Sequence, residues 1–259
     1  MKNKILKITC SILCLLGLAS CLGDSVGYNS GSGFAYITTN DYGAKIALVA
    51  SGNYVYSIKS NVVDTADLNV GDCAFLTYKV YSDRYSGGLW YTDDVQLTQI
   101  FPKSSHAVLK LDVPPAVSDV DTVNVFDRAY TQVWASNDIL RDKWYVGYKA
   151  VLDTYQGATV SYYYDDTPAR QTGLSKDTVY VDVRINKATT DKKGSSVDRN
   201  AVADFSLLRA ALFSDTSVQK GYYVYYRYFK NVKTNNVSKP VEVVTDSYAG
   251  YIMNEVDSE

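Results

Sequence analysis

Histidine, glutamate and usable cysteine are scarce in this chain. Its 259 residues hold one His, and Glu occurs only at Glu242, Glu255 and Glu259. The lone imidazole, His106, stands beside Ser104 and Ser105 between apolar stretches and reads as a surface linker residue. A Ser-His-Asp mechanism needs that ring held between nucleophile and carboxylate, and no G-x-S-x-G elbow occurs. One His with one mature Cys cannot supply the ligand set of a zinc site, so no metal and no cofactor is expected. No run of Lys and Arg exists, which argues against nucleic acid as a partner. The apolar stretch at 8–18 falls short of the ~18–20 residues that a membrane crossing requires.

That stretch has another reading. Lys2, Lys4 and Lys7 precede it, Thr9 and Ser11 alone interrupt it, and Leu18-Ala19-Ser20-Cys21 closes it. A basic segment, an apolar segment and small residues before a cysteine form the cut-and-lipidate signal of a bacterial lipoprotein. The expectation is a signal peptide at 1–20 and a mature chain beginning at a lipidated Cys21. Each buried CH₂ of an acyl chain contributes about 0.8 kcal/mol, so several chains anchor durably without spanning. The membrane is thus the expected partner, through those chains, and the outer membrane the expected location, with the leaflet open. Cys10 and Cys14 leave with the leader, so Cys73 alone remains as a thiol and no internal disulfide can form. The leader takes three lysines and no acid with it, moving the formal charge from −2 to −5.

What is abundant points to strands. Tyr occurs 24 times against 7 Phe and 3 Trp, Val and Thr are frequent, and the helix former Glu is rare. Residues 21–32 are small and polar and suit a flexible tether. Strand patterns follow at 34–39, 44–50, 54–59, 73–81, 89–91 and 95–101, on the scale of a small OB-like barrel over 33–113. Pro114-Pro115 and Ser118-Asp119-Val120-Asp121 make 114–121 the expected linker. Beyond it, strands recur at 122–126, 130–136, 143–153, 158–164, 178–186, 201–205 and 221–230. Edge strands are expected at 241–245 and 248–253, and one helical turn at 207–213. The predicted fold is all-β, an N-terminal OB-like barrel followed by a C-terminal β-sandwich over 122–256.

In this order of parts the chain resembles the NigD-like lipoproteins. The residues that carry the resemblance are Leu18 to Cys21, Val70-Gly71-Asp72, Tyr130-Thr131-Gln132-Val133-Trp134 and Asp204-Phe205-Ser206-Leu207-Leu208-Arg209. The resemblance implies an OB domain plus β-sandwich behind a lipobox, with no assigned biochemical role. Members typically carry several acids just after the lipidated cysteine, a mark associated with cell-surface export. Only Asp24 stands in Leu22-Gly23-Asp24-Ser25 here, which leaves the leaflet undecided.

The remaining chemistry is sparse. Asp165-Asp166, Asp93-Asp94, and Asp64 with Asp67 could ligate calcium, but they fit no EF-hand spacing and read as solvated turn acids. Cys73 reads as a small buried hydrophobe. In 221–230, alternation puts Tyr222, Val224, Tyr226 and Tyr228 on one face and Tyr223, Tyr225, Arg227 and Phe229 on the other. Core and cross-strand packing is the favoured role of these rings, with an aromatic platform for sugar rings or a protein partner as the alternative. Four Asp-Ser/Thr-apolar sequons, at Ser25, Thr65, Thr122 and Thr178, match an O-glycosylation pattern of exported proteins and also suit ordinary turn-to-strand junctions. The expectation is a non-enzymatic, lipid-anchored envelope module that binds or scaffolds an unassigned protein or glycan. The alternatives are a glycan hydrolase using paired Asp and a subunit of a surface fibre.

Overall fold

The computed structural model describes residues 26–52, 54–118, 124–136, 138–152, 157–171, 175, 177–187, 194–214, 219–234 and 237–254. The leader, Cys21, Ser25, Thr122 and the first two residues of the expected strand at 122–126 lie outside them.

The first unit is a seven-stranded sheet of β1 (Tyr28–Thr39), β2 (Lys45–Ser51), β3 (Tyr54–Lys59), β4 (Cys73–Tyr81), β5 (Tyr85–Ser86), β6 (Leu89–Tyr91) and β7 (Val95–Phe101), in the order β5-β6-β3-β2-β1-β4-β7. Helix α1 (Asn61–Thr65) joins β3 to β4, with the Ser60 hydroxyl capping it by accepting from Val62 N. β1 pairs with both β2 and β4, and β6 runs parallel to β3, which is OB-like topology. Among the described residues no sheet closes into a barrel. The gap between β3 and β4 is bridged instead by the bend after β6, where Thr92 N–H donates to the Lys59 carbonyl at 3.1 Å and Thr92 Oγ1 donates to the Lys79 carbonyl at 2.7 Å.

The second unit is a sandwich. One sheet orders β8 (Ala107–Val108), β13 (Ser195–Asp204), β10 (Lys143–Leu152) and β9 (Arg128–Val133) as β8-β13-β10-β9. The other orders β11 (Ala158–Tyr163), β12 (Thr178–Lys187), β14 (Gly221–Thr234) and β15 (Val237–Val244), with β16 (Gly250–Met253) also on β14. Helices α2 (Pro168–Gln171) and α3 (Ser206–Leu212) connect strands.

Strand alternation builds two cores and a seam from the same strands. On β4, Ala74, Leu76, Tyr78 and Val80 fill the first unit while Cys73 faces the second. On β10, Trp144, Val146, Tyr148, Ala150 and Leu152 fill the sandwich while Tyr145 faces the first unit. At that seam the Tyr145 ring meets Phe34 at 5.4 Å, Phe75 at 5.6 Å and Phe101 at 5.7 Å. Each such ring pair adds about 0.5–1.5 kcal/mol beyond its burial.

Three expectations need correction. The tether is shorter than 21–32, because residues 28–32 already pair with β4, from Tyr28↔Tyr81 to Ser32↔Thr77. The crossing between units comes before 114–121, since β8 at 107–108 joins β13 and Lys110 bridges to Tyr163. The 33–113 and 122–256 boundaries shift accordingly. His106 is buried at the seam rather than on a surface linker, because the chain turns there from β7 into the sandwich.

Candidate functional site: an aromatic cleft at the seam of the sandwich

β9 is an edge strand, and the loop between β15 and β16 lies across from it. Between them opens a cleft of about 260 Å³, with Asp127, Arg128, Tyr130, Trp134, Lys230, Asp246 and Tyr248 on its walls. Trp134 and Tyr248 are 36% and 45% exposed, and their rings stand at 88° with centroids 6.2 Å apart. Tyr223 packs on Tyr248 at 5.3 Å and on Tyr251 at 4.9 Å, which extends the ring surface along β14 and β16. A second groove of about 540 Å³ adjoins Trp134 on its other side, walled by Tyr54, Val55, Gln132 and Ile139.

Glycines let the rings lie where they do. A Cβ on Gly147 would come within 2.5 Å of the Tyr130 ring, which lies flat across its cross-strand neighbour on β10. A Cβ on Gly250 would meet the Trp144 ring at 2.5 Å and Trp134 at 3.3 Å, so β16 threads between the two indoles only as glycine. The polar wall is fixed as well. The Arg128 guanidinium sits 5.1 Å from the Tyr130 ring centre, and Ser196 Oγ donates to the Asp127 carboxylate. Burial raises the Tyr228 hydroxyl above its ordinary range at the cleft floor, with the Asp246 carboxylate adding to that shift.

A charged cluster covers the outer face of β12 and β14. Asp182 is fully buried and takes Arg227 Nε and Nη2 at 2.8 and 2.6 Å, Arg170 Nη2, and Arg184 Nη2 at 3.3 Å. Glu242 on β15 accepts from Arg170 at 3.1 Å. This knot joins α2, β12, β14 and β15, and apart from the buried Arg170 Nε its guanidiniums face carboxylates and carbonyls. Its role is structural.

Comparison with known proteins follows this geometry. A scan of protein-family models and a search of curated proteins find no match. Among solved structures, an uncharacterized protein from Parabacteroides merdae aligns over 86% of this chain and 97% of its own, at 13% identity and a TM-score of 0.53. The fold is shared with it. A NigD-like immunity protein from Bacteroides caccae also aligns, over 85% of this chain and 93% of its own, at 9% identity and a TM-score of 0.45. A protein of unknown function from Bacteroides vulgatus aligns at 12% identity and 0.48, over 85% and 91%. A NigD-like protein is thus among the structural neighbours.

The stretches that carry that resemblance fall into different roles. Gly71 adopts φ +99, where a side chain would be strained, and Asp72 accepts from Asn69 N and Lys103 N at 2.7 Å each, so 70–72 is a turn lock. Asp204, just before α3, accepts from Ser206 N at 3.0 Å and pairs with Lys143 at 2.8 Å. Arg209 grips the buried Asp142 carboxylate at 2.7 and 2.8 Å. Among the described residues of these stretches, only 130–134 reaches the cleft, through Tyr130, Thr131 and Trp134.

The other predicted residues are brought to no common site. Asp93 accepts from Asn61 N at 2.8 Å, Asp94 from the Tyr81 hydroxyl at 2.5 Å, Asp64 from Lys59, and Asp165 from Thr167 N at 3.0 Å. Among the described residues no group of three or more His, Cys, Asp or Glu could hold a metal ion. Thr65 is exposed on α1, with its hydroxyl donating to the Asn61 carbonyl at 2.8 Å, and Thr178 Oγ1 bonds Ser175 Oγ at 2.7 Å. Cys73 is buried, and burial pushes its thiol well above the usual range. Tyr226 and Tyr228 are core residues and Tyr222 packs against the core, while Tyr223 alone of its stretch enters the exposed ring surface. Neither Tyr248 nor Asp246 was singled out by sequence. Their signal, a Tyr and an Asp in a short polar stretch, is that of any turn.

Proposed function

We propose that this chain is a lipid-anchored protein of the cell envelope, held at the outer membrane by acyl chains on Cys21, whose β body binds a ligand without transforming it. The observation that carries the binding half is the exposed Trp134–Tyr248 corner in a cleft whose wall also holds Asp127, Arg128, Lys230 and Asp246. Exposed aromatic side chains beside converging polar groups are what a recognition pocket needs. His106 supports the non-enzymatic half. Its Nε2–H donates to the Phe101 carbonyl at 3.2 Å inside the domain seam, away from the cleft, so the imidazole is withheld from proton transfer there. The carboxylates of Asp127 and Asp246 line the same cleft, which keeps a glycan hydrolase as the second reading.

The anchor reading rests on the lipobox sequence. Among the described residues no helix is long and apolar enough to cross a membrane. The test uses the full chain expressed in a Gram-negative host and immobilised in detergent. It should retain one fraction of solubilised envelope material and release it chemically unchanged. Turnover of the retained fraction would favour the hydrolase, and retention of nothing would contradict a binding role.

A further inference from the structure

Resting on the binding reading, we infer that the cleft between β9 and the β15–β16 loop is a saccharide subsite that takes a neutral pyranose ring. The argument starts from charge. The cleft carries Asp127 and Asp246 against Arg128 and Lys230. These charges cancel, so the cleft offers neither the net positive field that holds a phosphate or sulfate nor the net negative field that holds a metal ion or polyamine. It offers instead alternating carboxylate acceptors and cationic donors, which suit a molecule with many hydroxyl groups. Each hydroxyl both donates and accepts, and a bond to a charged partner is about twice as strong as one between neutral groups.

Shape makes the second argument. A pyranose ring presents an apolar face of C–H groups and a polar rim of hydroxyls. Trp134 and Tyr248, at right angles and 6.2 Å apart, form a two-walled aromatic corner. One ring can stack on the C–H face while the other closes its edge, and the charged side chains reach the rim. The corner is built in advance. Gly250 lets β16 pass between Trp134 and the buried Trp144, Ser196 holds Asp127, and Tyr130 supports Arg128. A preformed site loses little side-chain freedom on binding. Aromatic surface continues past Tyr248 to Tyr223 and Tyr251, and past Trp134 to the groove at Tyr54. That continuity fits a chain of sugar residues better than a single one.

The test is affinity electrophoresis of the full-length chain in detergent. It runs through gels containing starch, xylan, mannan or laminarin as neutral polymers, and alginate as an anionic one. At least one neutral polymer should retard the protein and alginate should not. Trp134→Ala and Tyr248→Ala should each weaken that retardation at least about tenfold, with unfolding midpoints of the variants recorded beside it. Tyr248 is the more exposed, so its truncation remains informative should the Trp134 variant fail to fold. Retardation by no neutral polymer would overturn the inference. Undiminished retardation in a folded Tyr248→Ala chain would also overturn it, while leaving binding at another place. Retention of an envelope protein alone would sink the saccharide assignment and leave the binding reading standing.

Discussion

Single residues carry more of this fold than their types suggest. Asp182 is one carboxylate among three guanidiniums, fully buried where β12 meets β14. Removing its charge leaves those cations to share Glu242, and removing one partner of a buried ion pair typically costs about 3–5 kcal/mol. Asp182→Asn should lower the unfolding free energy by that amount, read as a lower urea midpoint with the slope unchanged, and a loss under about 1 kcal/mol would show the cluster to be solvated. Gly250→Ala should cost about 1–3 kcal/mol through the clash with Trp144, visible by the same measurement and as a shifted tryptophan emission. At the seam, burial pushes the His106 imidazole below its ordinary 6.5, Lys143 pushes the same way, and the Phe101 carbonyl opposes them. The unfolded chain takes up its proton near the ordinary value while the folded one resists. Below pH 6.5 the unfolded state therefore binds more protons, and stability falls as pH drops. Thermal unfolding from pH 7.5 to 5 should show that decline, and His106→Gln should flatten it.

At the scale of elements, most strands are legible because alternation is a local signal. β4 reads from 73–81, with Ala74, Leu76, Tyr78 and Val80 on one face and the mixed set Cys73, Phe75, Thr77 and Lys79 on the other. The same signal could not say what lay on the second side. Phe34, Phe75 and Tyr145 look like ordinary strand residues until the two units dock. The tether was misread for a related reason, since Ser30-Gly31-Ser32-Gly33 has no strand propensity and is held by pairing with β4. The cleft was illegible because Trp134 and Tyr248 come from an edge strand's end and a loop, far apart in the chain. The asymmetric bridge at Thr92 gives a test at this scale. Thr92→Val removes the hydroxyl that donates to Lys79 O and accepts from Asp94 N at 3.1 Å. It should cost about 1–2 kcal/mol and speed hydrogen exchange at the Lys79 amide, which donates to Asp94 O at 2.9 Å. Unchanged exchange there would mean the sheet does not depend on that stitch.

For the whole molecule, the two units are joined by an apolar seam rather than strung on a linker. Tyr145→Ala should remove about 3–5 kcal/mol of packing and split a single cooperative unfolding transition into two, read by tryptophan fluorescence and far-ultraviolet circular dichroism. The account stands on the Trp134 cleft. The most direct test compares wild-type and Tyr248→Ala full-length chains for capture of solubilised envelope material at matched unfolding midpoints. The account predicts that capture falls at least about tenfold in the variant. Equal capture by both chains would contradict it.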